Sequence, residues 1–311
     1  MFKIKSPDMV VLISLFIVCC WGVVVPAMAQ EVHFRFNPPD DFPAYISTYK
    51  NTQVSVMGAL GERTRVSEAK TKITIDKTPE GYSVTFMPIS FTITQDGKRR
   101  EDPILSFLQN ITVIYELDVD GQLVKIRGFE GTIEKLKASL PAALPPTVAA
   151  LLSEETITNR AAQEWDARIG SYVGMAGEIG DVWAGVEETP LPMGGTMAFY
   201  SVTKLAEQVK FDDVDCVRLE FSFNSDAEEL RNFMGDMWED LAEMADMEAV
   251  PSVSDSKIAG KGERIIDPAT MLIYSETVER TMKMMMAVPG RGEVEVTSVE
   301  KREYGYEEIA P

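Results

Sequence analysis

Stretch after stretch of this chain alternates apolar and polar side chains with a period of two. Only an extended strand with one buried face uses such a pattern. Val217, Leu219, Phe221 and Phe223 alternate with Arg218, Glu220 and Ser222, and Ile111, Val113, Tyr115 and Leu117 form a second clean run. Tyr82, Val84 and Phe86 alternate, then Ile89, Phe91 and Ile93 do so with the phase slipped by one, and Met87-Pro88 sits at the slip. One extra residue there predicts a β-bulge, which bends a long strand while keeping its apolar face inward. Further strands are predicted over 49–57, 63–76, 196–204, 208–223, 258–266, 271–286 and 293–304. Asp120-Gly121, Asp96-Gly97 and Asp267-Pro268 supply the chain reversals.

Two regions change period. Thr132 to Leu140 and Pro146 to Ile169 read as helical; Ile157, Ala161, Trp165 and Ile169 recur every fourth residue, and Gly170 stands where a helix would stop. Ser225-Asp226-Ala227-Glu228 reads as a capping box opening a helix over 225–248. Its Leu230, Phe233, Met234, Met237, Trp238, Leu241 and Met244 fall on one stripe, opposite an acidic face. The expected fold class is therefore α+β. It is a long, mostly antiparallel curved sheet, half-barrel-like, with two coarsely similar halves and helical insertions packed on it. The divisions expected are a leader (1–29), an arm (30–44), a first β-rich half (45–140), a helical connector (141–170) and a second β-rich half (171–311).

The leader carries Lys3 and Lys5, an apolar run from Val10 to Val25, and Pro26-Ala27-Met28-Ala29 before Gln30. That is the order of a secretory signal, with cleavage expected after Ala29 and a periplasmic or extracellular destination. As a helix rising ~1.5 Å per residue, the run falls short of the ~30 Å hydrocarbon core. A retained anchor and a lipid-modified Cys19 or Cys20 are the alternatives. No later apolar run is long enough to span a bilayer. Removing the leader leaves Cys216 as the one cysteine, read as a small buried hydrophobe.

The formal net charge is −19. Such a surface repels nucleic acid and anionic membranes, so neither is an expected partner. His33, the one histidine, falls in an arm read as mobile. No internal Ser-His-Asp or Cys-His site and no histidine-pair zinc site can be assembled. Asp118-Val119-Asp120-Gly121 and Asp212-Asp213-Val214-Asp215 lack the spaced ligands of a calcium loop and read as turns. Gly260-Lys261-Gly262 is too short for a phosphate loop, and Lys98-Arg99-Arg100 reads as a solvated tip. No catalytic residue, metal or cofactor is assigned.

Apolar contact chemistry remains. Methionine is flexible and polarisable and adapts to irregular apolar ligands. The candidate ligand-binding residues are Phe233, Met234, Met237, Trp238 and Leu241 on the helix, with Met282, Met284 and Met286 sharing one face of a strand. Packing of the helix on its own sheet explains the same stripe, and a methionine copper site lacks histidine or cysteine support.

Several segments resemble a group of exported bacterial proteins described only as domains of unknown function. They are Gly180-Asp181-Val182-Trp183, Val214-Asp215-Cys216-Val217, Gly260-Lys261-Gly262-Glu263 running to Asp267, and Thr281-Met282-Lys283-Met284-Met285-Met286. More remotely, the layout is similar to the periplasmic lipoprotein-carrier fold, a curved sheet whose hollow holds acyl chains. That likeness implies no residue role, and the acidic charge departs from a carrier that docks on anionic membranes. The expected function is an exported, non-enzymatic binding protein holding a lipid or other apolar small molecule between sheet and helix. The alternative is an envelope module with a filled core that meets a protein partner.

Overall fold

The computed structural model of the chain describes residues 31–58, 61–101, 111–131, 133–134, 153–190, 196–244, 252–288 and 292–308. The leader and most of the predicted helix over 132–140 lie outside the described residues, as do 141–152.

Among the described residues fourteen strands follow in chain order. β1 (Val32–His33) belongs to the arm. β2 (Tyr45–Met57), β3 (Glu62–Thr78), β4 (Gly81–Gln95), β5 (Lys98–Arg100), β6 (Val113–Leu117) and β7 (Leu123–Arg127) form one meander. β8 is Ala176–Gly177. The second meander is β9 (Val182–Pro190), β10 (Thr196–Phe211), β11 (Val214–Ser225), β12 (Ser252–Ile266), β13 (Ile273–Val288) and β14 (Gly292–Glu308). Two α-helices are described, α1 (Glu154–Arg168) and α2 (Ala227–Met244). The expected α+β balance is thus corrected. The fold is predominantly sheet, because the alternating runs pair with one another continuously, and among the described residues α1 and α2 are the two α-helices.

One 12-stranded sheet takes in both meanders, in the order β7-β6-β4-β3-β2-β14-β13-β12-β11-β10-β9, with β5 beside β4. Every pairing in it is antiparallel. The last strand pairs with the first long one, from Val296↔Met57 to Glu308↔Tyr45, and so joins the meanders at the middle of the sheet. The edges, β7 and β9, do not pair, so the sheet is curved without closing into a barrel. A single core cluster gathers Tyr45, Ile73, Val84 and Tyr115 from one half with Leu205, Leu219, Ile266 and Tyr274 from the other. Strands so far apart in the order share a core only if the sheet curves around it.

The bulge lies where the phase slip predicts. Lys70 pairs with Ser90 and Thr71 with Pro88, leaving Ile89 as the extra residue, 53% exposed. Ile93 and Val84, on either side of it, are both buried. The Asp96-Gly97 and Asp212-Asp213 turns have positive φ at both positions, the left-handed geometry that matches strand twist. Asp118 closes its turn by accepting from the amides of Asp120 and Gln122.

The arm is a packed element and not the mobile segment expected. Phe34 is wholly buried and Phe36 nearly so. β1 pairs with β8, and the arm amides of Arg35 and Asn37 donate to the carbonyls of Pro268 and Ala269 at 2.8 and 3.1 Å. His33 stays at the surface beside Glu31. The Gly180-Asp181-Val182-Trp183 element proves to be a turn that seats this arm. Asp181 accepts from the Glu178 amide at 2.9 Å, Gly180 takes a φ of 103°, and Trp183 meets Phe34 edge-on.

Within the predicted helical span 146–169, α1 begins later, at Glu154. Ser153 caps it, its hydroxyl accepting from the Thr156 amide. Ile157, Ala161 and Trp165 are buried as their spacing requires, and Trp165 lies against Tyr115 and Phe36. The start of α2 differs from the expected capping box. Asp226 is the cap, accepting from the amides of Glu228 and Glu229 at 2.9 Å. Ser225 remains in β11, and its hydroxyl accepts from the Ile258 amide across the sheet at 3.0 Å. A buried strand end has a stronger claim on that hydroxyl than the exposed first turn of a helix.

Candidate functional site

The site is built on one face of the sheet, and strand periodicity sets its composition. On β13 the residues Tyr274, Glu276, Val278, Arg280, Met282, Met284 and Met286 are in phase and share a face. Tyr274 belongs to the core that takes in Trp165 of α1, and Met282 packs in the cluster that contains Leu230 of α2. Both helices therefore cover this concave face. Arg280 lies between them.

The α2 end is apolar. Met197, Phe199, Leu230 and Ile258 form a buried cluster against which Phe223, Met234 and Met282 pack. Met284 and Met286 continue the row, 6% and 9% exposed. Opposite them on β14 stand Val296 and Val294, both half-buried. Gly260 and Gly262 are required here. A Cβ on Gly260 would overlap the Phe223 ring, and one on Gly262 would lie 2.5 Å from Cζ of Phe221 and against the Thr277 carbonyl. The Gly-x-Gly motif thus clears space for two aromatic rings lying over the strand.

The middle of the face is a buried ionic belt. Glu300 on β14 is 6% exposed and accepts from three neighbours. Arg302 donates through Nε and Nη2 at 3.0 and 3.2 Å, Asn51 through Nδ2 at 2.7 Å, and Arg280 closes on it through Nη2. Burial works to raise the Glu300 pKa, but the Arg280 and Arg302 charges and the hydrogen bonds outweigh it and hold the carboxyl below its usual range. Gln53 and Ser55 continue the polar strip onto Ser298.

Nearer α1 a second carboxylate repeats the arrangement. Arg264 donates through Nε to Glu276 at 2.5 Å, both side chains being 5% exposed. Arg168 lies 4.0 Å from the same carboxylate and stacks over the Tyr304 ring at 4.2 Å. Arg264 also donates to the carbonyls of Arg168 and Ala167, capping the C-terminus of α1, where helix carbonyls lack intrahelical partners. Burial pushes Glu276 upward, yet the two guanidiniums leave it lowered. Arg168 Nε and Asn51 Oδ1 are buried without a hydrogen bond. Each glutamate is thus held by two arginines, and the group of Glu300, Arg280 and Arg302 keeps one net positive charge.

The structure brings Met234, Met282, Met284 and Met286 to this face, with Phe233 half-buried on α2. Met237, Trp238 and Leu241 fall on α2, but their side chains lie outside the described residues. The belt is what sequence reading missed. Glu276 and Arg280 are in phase with the methionines, and Glu300 and Arg302 with Tyr304. That phase was the available signal, although no pattern gives the register that sets Asn51 beside Glu300. Cys216 is buried, and burial first, then the Asp267 and Asp215 charges, pushes its thiol up to about 12. Among the described residues no helix is long and apolar enough to cross a membrane, and no group of three His, Cys, Asp or Glu side chains could hold a metal ion.

No family model and no curated protein matches the chain. Among solved structures it is similar to lipovitellin, in a structure titled for lipid–protein interactions. The TM-score is 0.43 at 11% identity, over 89% of this chain and 26% of that one. The chain thus spans about a quarter of the lipovitellin chain it matches. It is also similar to DynF from the dynemicin biosynthesis pathway of Micromonospora chersina, with a TM-score of 0.21 at 9% identity, over 92% of this chain and 88% of that one.

Proposed function

We propose that this chain is an exported, non-enzymatic binding protein that holds an apolar ligand against the concave face of its sheet, beside α2. The observation that carries the reading is the inward row of Met282, Met284 and Met286. Three unbranched thioethers side by side form an adaptable apolar surface, where a chain selected only to fill a core favours branched side chains with defined rotamers. The leader supports export. The surface position of the single histidine supports a binding role over acid–base catalysis. The test is displacement of a fluorescent fatty acid from the purified protein. Saturable binding that Met282→Asp abolishes without unfolding the protein is expected; no binding by the parent chain would refute the reading.

A second reading has its own observation. Met197 and Leu230 are 1% and 2% exposed, so the chain's own side chains fill part of the space under α2. A module with a filled core follows if that packing continues to Met286. In that case Met282→Asp destabilises the protein and no ligand is found.

A further inference from the structure

We infer that the ligand is an anionic single-chain amphiphile, its carboxylate head taken by Arg280 and Arg302 and its tail entering at the half-buried Met282 and continuing inward toward the buried Met284 and Met286. The inference rests on the proposed binding role and names the ligand class for that site. Three observations carry it. The first is adjacency: Arg280 and Met282 are successive residues on the same face of β13, so the change from charged to apolar lining falls between two neighbours. From Arg280 to Met286 the strand runs about 20 Å, the reach of a long acyl chain.

The second is access. The Arg280 and Arg302 side chains are 39% and 36% exposed, while the Glu300 between them is 7% exposed. Among the described residues Arg280 meets one acceptor, Glu300, through Nη2. A guanidinium carries five N–H donors, so the Arg280 side chain, 39% exposed, has capacity beyond that one contact.

The third is charge. The chain as a whole carries −19, yet this face gathers Arg168, Arg264, Arg280 and Arg302 around Glu276 and Glu300. A further carboxylate that faces the belt is Glu164 of α1, which acts on Arg168, Tyr49 and Tyr304 and so offsets the surplus beside Glu276 and not the one at Glu300, Arg280 and Arg302. A carboxylate docked on Arg280 and Arg302 neutralises the surplus of that triad through charge-assisted, fork-shaped hydrogen bonding. A cationic head would add to the surplus, and a neutral head would leave it standing. The acidic exterior repels small free anions, so the tail is needed to bring the head in.

The experiment is a calorimetric titration of the delipidated protein at constant pH and salt. Its probes are dodecanoate, dodecanol, dodecyltrimethylammonium and acetate. Dodecanoate is expected to bind about tenfold or more tighter than dodecanol, the scale of one charge-assisted contact. The cationic amphiphile binds weakest of the three, and acetate gives no heat of binding. Arg280→Gln brings dodecanoate down to the dodecanol affinity and leaves dodecanol within about twofold; Arg280→Lys restores part of the gap. Equal affinities for dodecanoate and dodecanol in the parent protein overturn the head-group assignment and leave the apolar-ligand reading standing. Absence of binding by all four overturns both. Should Arg280→Gln not fold, the comparison between the two heads in the parent protein decides by itself.

Discussion

Glu276 sits in a setting that water would normally forbid a carboxylate, and two guanidiniums make it tolerable. Its folded pKa is lowered, as is that of Glu300. A lowered folded value contributes stability that is full above the unfolded value, near 4.5, and is lost as pH falls through the folded one. Urea unfolding at pH 7 and at pH 4 should therefore show a weaker parent protein at the lower pH. Glu276→Gln should cost ~3–5 kcal/mol at pH 7, because it strands Arg264 and Arg168, and it should flatten the acid dependence. An unchanged acid slope in that variant would contradict the assignment. Cys216 gives a second residue-scale expectation. With its thiol pushed up to about 12 and its side chain buried, a thiol reagent should label it only after denaturation. The role of Cys216 was legible from the strand-like run around it. The arginine belt was not, because the partners Asn51 and Glu300 lie 249 residues apart and only strand register unites them.

Elements were more legible than contacts, and their boundaries less so. The phase slip at Met87-Pro88 located the bulge, since an inward apolar face is a stringent constraint on a strand. The fourfold spacing of Ile157, Ala161 and Trp165 located the buried side of α1. The start of α2 misled, because a serine three residues before a glutamate fits a capping box whichever hydroxyl bond its surroundings prefer. Substitution separates the two roles. Asp226→Ala should cost about 1 kcal/mol through loss of the cap and fray the first turn of α2. Ser225→Ala should leave helix content unchanged while loosening β11 from β12 at Ile258. Hydrogen exchange of the Glu228, Glu229 and Ile258 amides distinguishes them. On β12, Gly262→Ala drives a methyl into the Phe221 ring and the Thr277 carbonyl, so a loss of about 1–3 kcal/mol in denaturant unfolding is expected. A neutral result would mean that the ring moves aside freely.

At the scale of the molecule, local patterns fall short because strands near the two ends of the sequence meet at the middle of the sheet. β14 pairs with β2, α1 runs in the connection between the two edge strands, and the arm fills the same core as both meanders. Alternation predicts many strands and cannot say that they form one sheet, so the α+β expectation overstated the helices. Removal of residues 292–311 would expose long edges on β2 and β13 together, and such a truncated chain should aggregate and not fold. The concave face that results is graded along its strands: an aromatic core around Trp165, then the arginine–glutamate belt, then the methionine row beside α2. The central claim is that this gradient receives an apolar chain. Native mass spectrometry of the protein purified gently from the cell that makes it tests it most directly. The account predicts a population heavier than the bare chain by the mass of a single-chain acidic lipid, lost when Met282 is replaced by Asp. A bare mass at every ionisation energy, from protein that is folded and of full length, would contradict it.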